Sequence, residues 1–360
     1  MKIKKILLPS AILFLFLFFQ NHSFAQDSGT FAGIEIGSKG IKMSVIDVTK
    51  IKKGDFTVKS YWSENVGIAK GIAIDGNLAA EDIDKAVTVV LNNYIKIKDD
   101  MKIPDENIFI VGSSGVAMAK NTKDLIDKIK LATNKDVEFI DAATEGKMLL
   151  KGCVPPVDYK NSMVLDIGGG NTKGGFVDVR NNDTFVFFPL SVNYGTVTLT
   201  EAVLKKTRKD DVSEFNEKIF GFLPIVRDQV DAMYKTSPEA LEKEKVFMSG
   251  GAVWAFYTLY NGAAKETFNE FKLEDVLYFD AVLKNNFKKF EELAQTDKDA
   301  EKVLKTYSQK YLISASNLLL VCLEAIPEIN DKKLYFAKEG QIAWLVSYIA
   351  DRSKKVKKIY

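Results

Sequence analysis

Apolar and polar positions follow the same order in two segments of the chain. Residues 33–48 read GIEIGSKGIKMSVIDV and residues 164–179 read VLDIGGGNTKGGFVDV, an offset of 131. In each, β-forming aliphatics flank a short glycine-rich polar stretch, the pattern of a hairpin. Each copy places an acid two residues before its first turn glycine (Glu35 before Gly37, Asp166 before Gly168). Each also places a lysine seven residues after that acid, Lys42 and Lys173, and ends in Asp-Val.

The rest of the chain reads more coarsely. A strand is predicted over residues 108–111, running into Gly112-Ser113-Ser114-Gly115, and a short strand over 137–140. A helix over about 143–151 carries Glu145 near its start. Helical amphipathic patterns dominate 211–234 and 273–326. A strand over 246–248 ends in Ser249-Gly250-Gly251, and a last helix covers about 340–349.

The duplicated turns carry the chemistry. Glycine lets backbone amides converge without side chains in the way, and a concave set of amides binds anions. An acid entering such a turn faces whatever the turn holds. Two copies point to two domains facing each other across a cleft, each with one phosphate loop and one carboxylate. Gly112 to Gly115 forms a further loop rich in N–H and hydroxyl donors.

The chain start changes the picture of location. Lys2, Lys4 and Lys5 precede an apolar run over residues 6–19, followed by Ser23 and Ala25 at the small-residue positions of a cleavage site. Fourteen apolar residues are fewer than the roughly 20 a membrane span needs. Residues 1–25 are therefore expected to be a cleaved signal peptide, with the mature chain periplasmic or secreted and without a membrane span. Export puts Cys153 and Cys322 in an oxidising compartment, and their pairing is left open. Lys354, Lys355, Lys357 and Lys358 read as a solvated basic tail.

Composition then removes whole classes of chemistry. Apolar residues make up 46% and charged residues 27%, enough for a packed core. Without the leader, 47 basic residues face 48 acidic ones, so no global field draws in nucleic acid. The only histidine is His22, in the leader. That excludes Ser-His-Asp and Cys-His catalysis and His-ligated zinc in the mature chain. If the chain is an enzyme, its polar chemistry must rest on carboxylates, lysines, hydroxyls and backbone amides, with or without a hard metal held by oxygens.

The order of the pieces GIEIGSKGIKM, VGSSGVAMAKN, FIDAATEGKMLLKG, VLDIGGGNTKGGF, PLSVNYGTVTLTE and VFMSGGAVW resembles the exopolyphosphatase / guanosine pentaphosphate phosphatase family. That family belongs to the actin, heat-shock-protein and sugar-kinase superfamily. The resemblance covers about 31–349. It implies an α/β fold of two RNase H-like (actin-like ATPase) domains with an interdomain cleft, and Mg²⁺-dependent hydrolysis of phosphoanhydrides. The expected partition is a first domain over 27–161, a second over 162–337, a C-terminal helix over 338–352 packing back on the first, and a tail over 353–360.

The resemblance assigns Glu145 as the catalytic glutamate acting on the attacking water. Asp166 is the acid of the second phosphate loop, which comprises Gly168, Gly169, Gly170, Asn171 and Thr172. Gly37, Ser38, Lys39 and Gly40 form the first loop behind Glu35, and Ser113 and Ser114 add donors. Asp166 and Glu35 are the expected Mg²⁺ ligands, directly or through water. Gly250 and Gly251 match a glycine pair read as either a nucleotide contact or a tight turn.

Several positions depart from the family pattern. Glu35 stands for aspartate and Lys39 for asparagine. Ala117 and Thr198 stand for arginines, and Lys173 for a glutamate. Lys39 or Lys173 can replace the arginines as point charges, although a hairpin lysine such as Lys173 is expected to face outward. The ligand expected is a phosphate-containing small molecule or polyphosphate, with a homodimer left open. The competing functions are an ecto-apyrase-like nucleoside di- or triphosphatase and a pseudoenzyme that binds an anion without turnover.

Overall fold

The computed structural model describes residues 28–50, 55–180 and 184–354. The leader with His22 and residues 355–360 of the basic tail lie outside the described residues. The first sheet comprises β1 (Gly29–Ile36), β2 (Gly40–Lys50), β3 (Asp55–Asn65), β4 (Ile108–Gly112) and β5 (Val137–Phe139), in the order β3-β2-β1-β4-β5. The second comprises β6 (Ser162–Ile167), β7 (Thr172–Arg180), β8 (Thr184–Val192), β9 (Lys245–Ser249), β10 (Phe268–Phe271) and β11 (Lys333–Ala337), in the order β10-β11-β9-β6-β7-β8.

The two sheets repeat one plan. β1, β2 and β3 form an antiparallel meander, as do β6, β7 and β8. β4 then pairs parallel to β1, and β9 parallel to β6. The architecture is α/β with two mixed sheets, as the duplicated hairpins imply. β3 and β8 add a third strand to each hairpin. In β3, Phe56 and Val58 are exposed, so the strand lacks the clean apolar alternation that marks its neighbours.

Helices cover the sheets, and three apolar clusters form among the described residues. One packs the outer face of the first sheet through Ile34, Ile36, Met43, Ile83 and Val90. Another packs the second sheet against its helices through Leu165, Phe176, Phe215, Phe256 and Leu319. The third lies between the halves. It joins Val111 and Ile46 to Val164 and Phe247 through the helices Ala142–Cys153 and Gly340–Ser353. The C-terminal helix thus leaves the second sheet and completes the packing of the first.

The 273–326 pattern resolves into four helices, Leu273–Asn285, Lys288–Ala294, Lys298–Thr306 and Gln309–Glu324. The last is buried on nearly every side over Leu312 to Leu323, so it reads as core rather than amphipathic. Cys153 and Cys322 are both buried and unpaired. Among the described residues, no helix is long and apolar enough to cross a membrane.

Candidate active site

Hairpin register builds the centre of the site. The turn between β1 and β2 closes with the Gly37 N–H donating to the Gly40 carbonyl at 3.0 Å, and the turn between β6 and β7 closes with Gly168 donating to Asn171 at 3.1 Å. Both turns set the acid opposite the lysine seven residues on: Glu35 faces Lys42 and Asp166 faces Lys173. Directly opposed side chains share a face of the sheet. Lys42 Nζ accordingly lies 3.1 Å from Glu35 Oε1, and Lys173 Nζ lies 2.7 Å from Asp166 Oδ1. The expectation that Lys173 faces outward is corrected: it is buried, and the register that duplicates the acid duplicates its lysine.

The parallel strand next door adds a hydroxyl. Ser249, at the end of β9, pairs with Asp166 in register and donates to its Oδ2 at 2.7 Å. Lys42 also donates to the Gln341 carbonyl at 3.2 Å, which ties the start of the C-terminal helix to the site.

Glu145 enters from the Ala142–Cys153 helix. Asp141 caps that helix by accepting from the Thr144 N–H at 2.7 Å. Glu145 sits in the first turn and is fully buried. Its Oε2 accepts from the Ser114 N–H at 2.9 Å, and its Oε1 lies 3.0 Å from Lys173 Nζ. Gly146 permits this approach: a Cβ there would fall 2.3 Å from the Gly174 carbonyl oxygen on β7. The helix of the first half therefore rests on the hairpin backbone of the second.

The two turns meet. A Cβ on Gly170 would fall 2.4 Å from Ser38 Oγ and 2.7 Å from Gly115 Cα. Asn171 Nδ2 donates to Ser114 Oγ at 2.9 Å across the same contact. Ser113 is held below it, donating its N–H to the Ile36 carbonyl at 3.0 Å. The second turn is anchored from behind by the helix Thr196–Leu204. Its first amides donate to the Gly168 and Gly169 carbonyls, and Thr198 Oγ1 donates to the Gly170 carbonyl at 2.8 Å. Thr172 Oγ1 donates to the Tyr194 carbonyl at 2.9 Å. Ser38, Ser113, Ser114, Asn171, Thr172 and the three acids are all buried. The arrangement is a closed one, with turn against turn.

Burial and charge oppose each other here. Burial alone would lower the Lys173 pKa, but the Asp166 and Glu145 carboxylates outweigh it and hold the ammonium well above the ordinary lysine range. Asp166 is pushed up by burial and pulled below its usual value by Lys173. Glu35 is different: burial pushes it up to about 7, and Lys42 offsets only part of the rise. Its Oε2 is buried with no hydrogen-bond partner, the mark of a desolvated carboxyl.

These acids do not fit a resident divalent metal as they sit. Asp166 gives one oxygen to Lys173 and the other to Ser249, Glu145 is taken by Lys173 and Ser114, and Glu35 Oε1 by Lys42. Among the described residues, no group of three or more His, Cys, Asp or Glu side chains is placed to hold a metal ion. A dication 4 Å from an ammonium is repelled by about 8 kcal/mol at an effective dielectric of 20. The expectation that Asp166 and Glu35 together hold Mg²⁺ does not fit this arrangement: each acid is paired with a cross-strand ammonium, Asp166 has both oxygens engaged, and only Glu35 Oε2 is left without a partner.

Other expected residues have different work. Lys39 Nζ stands over the rings of Tyr311 and Tyr307, 4.4 and 5.4 Å from their centroids, a cation–π placement rather than a free phosphate ligand. Gly250 and Gly251 are expected to be either a nucleotide contact or a tight turn. Gly250, at φ +94°, backs onto the Ile167 backbone, and a Cβ on Gly251 would fall 2.0 Å from the Tyr307 hydroxyl. Tyr307 packs directly against Gly251. A cavity of about 580 Å³ lies between Phe56, Val58 and the C-terminal helix, but no member of the acid cluster lines it. The residues that sequence reasoning missed are Lys42, Ser249, Thr198 as a turn tether, and Tyr307. Only Lys42 carried a signal, the repeated spacing of seven from the acid.

Comparison with known proteins points one way. The model of the Ppx/GppA phosphatase family matches residues 47–340. A Ppx/GppA family crystal structure from Aquifex aeolicus aligns with a TM-score of 0.62 at 19% identity, covering 89% of this chain and 98% of that one. The structure of an exopolyphosphatase from Cytophaga hutchinsonii aligns with a TM-score of 0.65 at 18% identity, covering 89% and 98%. The guanosine-5'-triphosphate,3'-diphosphate pyrophosphatase of Aeromonas hydrophila is 24% identical over 157 residues, 41% of this chain and 29% of that protein. The enzyme of the same description from Aliivibrio fischeri is 24% identical over 215 residues, 58% of this chain and 41% of that protein. The chain spans less than half the length of these two relatives.

Proposed function

The chain belongs to the Ppx/GppA phosphatase family, and from that premise we propose that it hydrolyses phosphoanhydrides in the manner of an exopolyphosphatase, outside the cytoplasm. One observation carries the reading. Glu145 from the first half and Asp166 from the second meet on the same ammonium, Lys173 Nζ, at 3.0 and 2.7 Å. A helix of the first half and the hairpin of the second therefore share one centre, and the two turns touch through Ser38 and Gly170.

The chain's own residues supply the steps. The halves part to admit the terminal phosphates of polyphosphate or a nucleotide, and the turn amides take the phosphate oxygens. Glu145 orients the attacking water and draws off its proton. A bond forms from water oxygen to the terminal phosphorus, the bridging P–O bond breaks, and the leaving phosphate carries away the electron pair. Positioning and charge neutralisation supply most of what phosphoryl transfer needs. Metal dependence is general in the family, and Mg²⁺ is the ion the resemblance calls for. Here Lys173 and Lys42 neutralise the acids instead.

The ion pairs favour a second reading, an anion-binding protein without turnover, because Glu145 is already engaged on both oxygens. Phosphate release separates the two. The purified mature chain is assayed on long-chain polyphosphate, ATP, ADP and pyrophosphate, with and without divalent ions. Release from polyphosphate supports the exopolyphosphatase, and release from nucleotides alone the apyrase-like variant. No release with any of them, alongside a rise in Tm with pyrophosphate, overturns the hydrolase. Detection of the mature N-terminus after residue 25 in a periplasmic or culture fraction tests export.

A further inference from the structure

We propose that Lys173 is the built-in cation of this site, standing between Glu145 and Asp166 and neutralising them, so that phosphate is bound without a metal.

Three observations carry it. The first is topological. Each hairpin sets a lysine opposite its acid by register, Lys42 on Glu35 and Lys173 on Asp166. The same device in both halves is a feature of the turn length, not of one side chain's rotamer. The second is placement. Lys173 Nζ touches carboxylates from both halves, and a Cβ on Gly168 would fall 2.9 Å from it. The ammonium therefore lies directly beneath the first glycine of the second turn, beside any anion the turn amides hold. An ammonium has three donors. One is given to Asp166, and Glu145 Oε1 lies within ion-pair distance without accepting a hydrogen bond, so donor capacity remains for an anion.

The third is charge. Lys173 is only 6% exposed, and an ammonium that deeply buried persists only when paired. Asp166 and Glu145 both supply that pairing. Three acids and two lysines leave the cluster with at most one net negative charge, where three bare carboxylates would repel a phosphate. A metal would have to displace Lys173 from both partners or sit against it.

The inference deepens the hydrolase reading through its activity arm, while its binding arms stand apart from that reading. Free Mn²⁺ is followed by its electron paramagnetic resonance signal during titration of the metal-stripped mature chain. The wild type is expected to take up no Mn²⁺ below millimolar concentration, and Lys173→Glu to bind it at least tenfold more tightly. Pyrophosphate binding to the metal-stripped wild type is measured by calorimetry. Binding is expected, Lys173→Met should weaken it at least tenfold, and Lys173→Arg should restore part of it. Stoichiometric uptake of Mn²⁺ by the wild type at micromolar concentration overturns the proposal, whatever the variants do. So does pyrophosphate binding that appears only after Mg²⁺ is added. If Mn²⁺ is refused and pyrophosphate bound, but nothing is hydrolysed, the hydrolase reading fails and the assignment of Lys173 stands. If hydrolysis occurs but is abolished by chelator, the hydrolase reading stands and the assignment fails.

Discussion

Lys173 faces Asp166 across the β6–β7 hairpin and closes on it at 2.7 Å, deep inside the protein. The pair is what joins the halves electrically, because the same ammonium reaches Glu145 on the other side.

Removing that ammonium leaves two buried carboxylates facing each other. Breaking a buried pair by deleting one partner costs about 3–5 kcal/mol. Lys173→Met is therefore expected to lose that much at pH 7 in urea unfolding. Part of the loss should be regained at pH 5, where one freed carboxyl takes up a proton. A loss that does not change with pH would mean the acids are too far apart to interact.

Glu145→Gln keeps an oxygen for the Ser114 N–H but no longer accepts a proton. General-base removal typically costs 10²–10⁴-fold. A fall in kcat of about that size is expected in phosphate-release assays, together with a lowered Tm, because Lys173 loses one of its two buried carboxylates. An undiminished kcat would remove Glu145 from the reaction.

Glu35 links stability to pH. In the folded chain burial holds its pKa at about 7, against 4.5 without that burial. Between those values the folded state keeps a proton that the unfolded state has released, so stability falls as pH rises through the window and levels off above it. The contribution is about 3 kcal/mol at 1.36 kcal/mol per unit. Glu35→Gln has no proton to lose, so its stability relative to wild type should climb from pH 4.5 to 7. Parallel curves for the two proteins across that range would refute the assignment.

Gly146 sets two effects against each other. Glycine to alanine inside a helix ordinarily gains about 1 kcal/mol. Here the new methyl would stand 2.3 Å from the Gly174 carbonyl oxygen, and overpacking typically costs about 1–3 kcal/mol. The contact is with backbone, which cannot rotate away, so Gly146→Ala should be destabilising on balance. A raised Tm would mean that the helix shifts freely off the β7 backbone.

Much of this site was readable as spacing. The duplicated acid, the glycine turns and the lysine seven residues on are all in the letters, and a four-residue turn puts positions i and i+7 face to face. What misled was the prior that a lysine in a hairpin points to water. Only the packing of the Ala142–Cys153 helix onto β7 shows that Lys173 has no water to reach. The surroundings of Gly250 and Gly251 were illegible for a related reason. Tyr307 fills the space beside Gly251 from more than fifty residues away, and no local pattern announces that. β3 was hidden because Phe56 and Val58 are exposed, so its alternation carries little contrast.

The helix Gly340–Ser353 arrives last and buries Trp344, Leu345 and Ile349 among residues of β1, β2 and β4. A nascent chain therefore cannot mature its front half as it emerges; that half waits, with its apolar side bare, until this helix has been made. This also means that a stop codon shortly before Gly340 would cripple the end of the molecule that was made first.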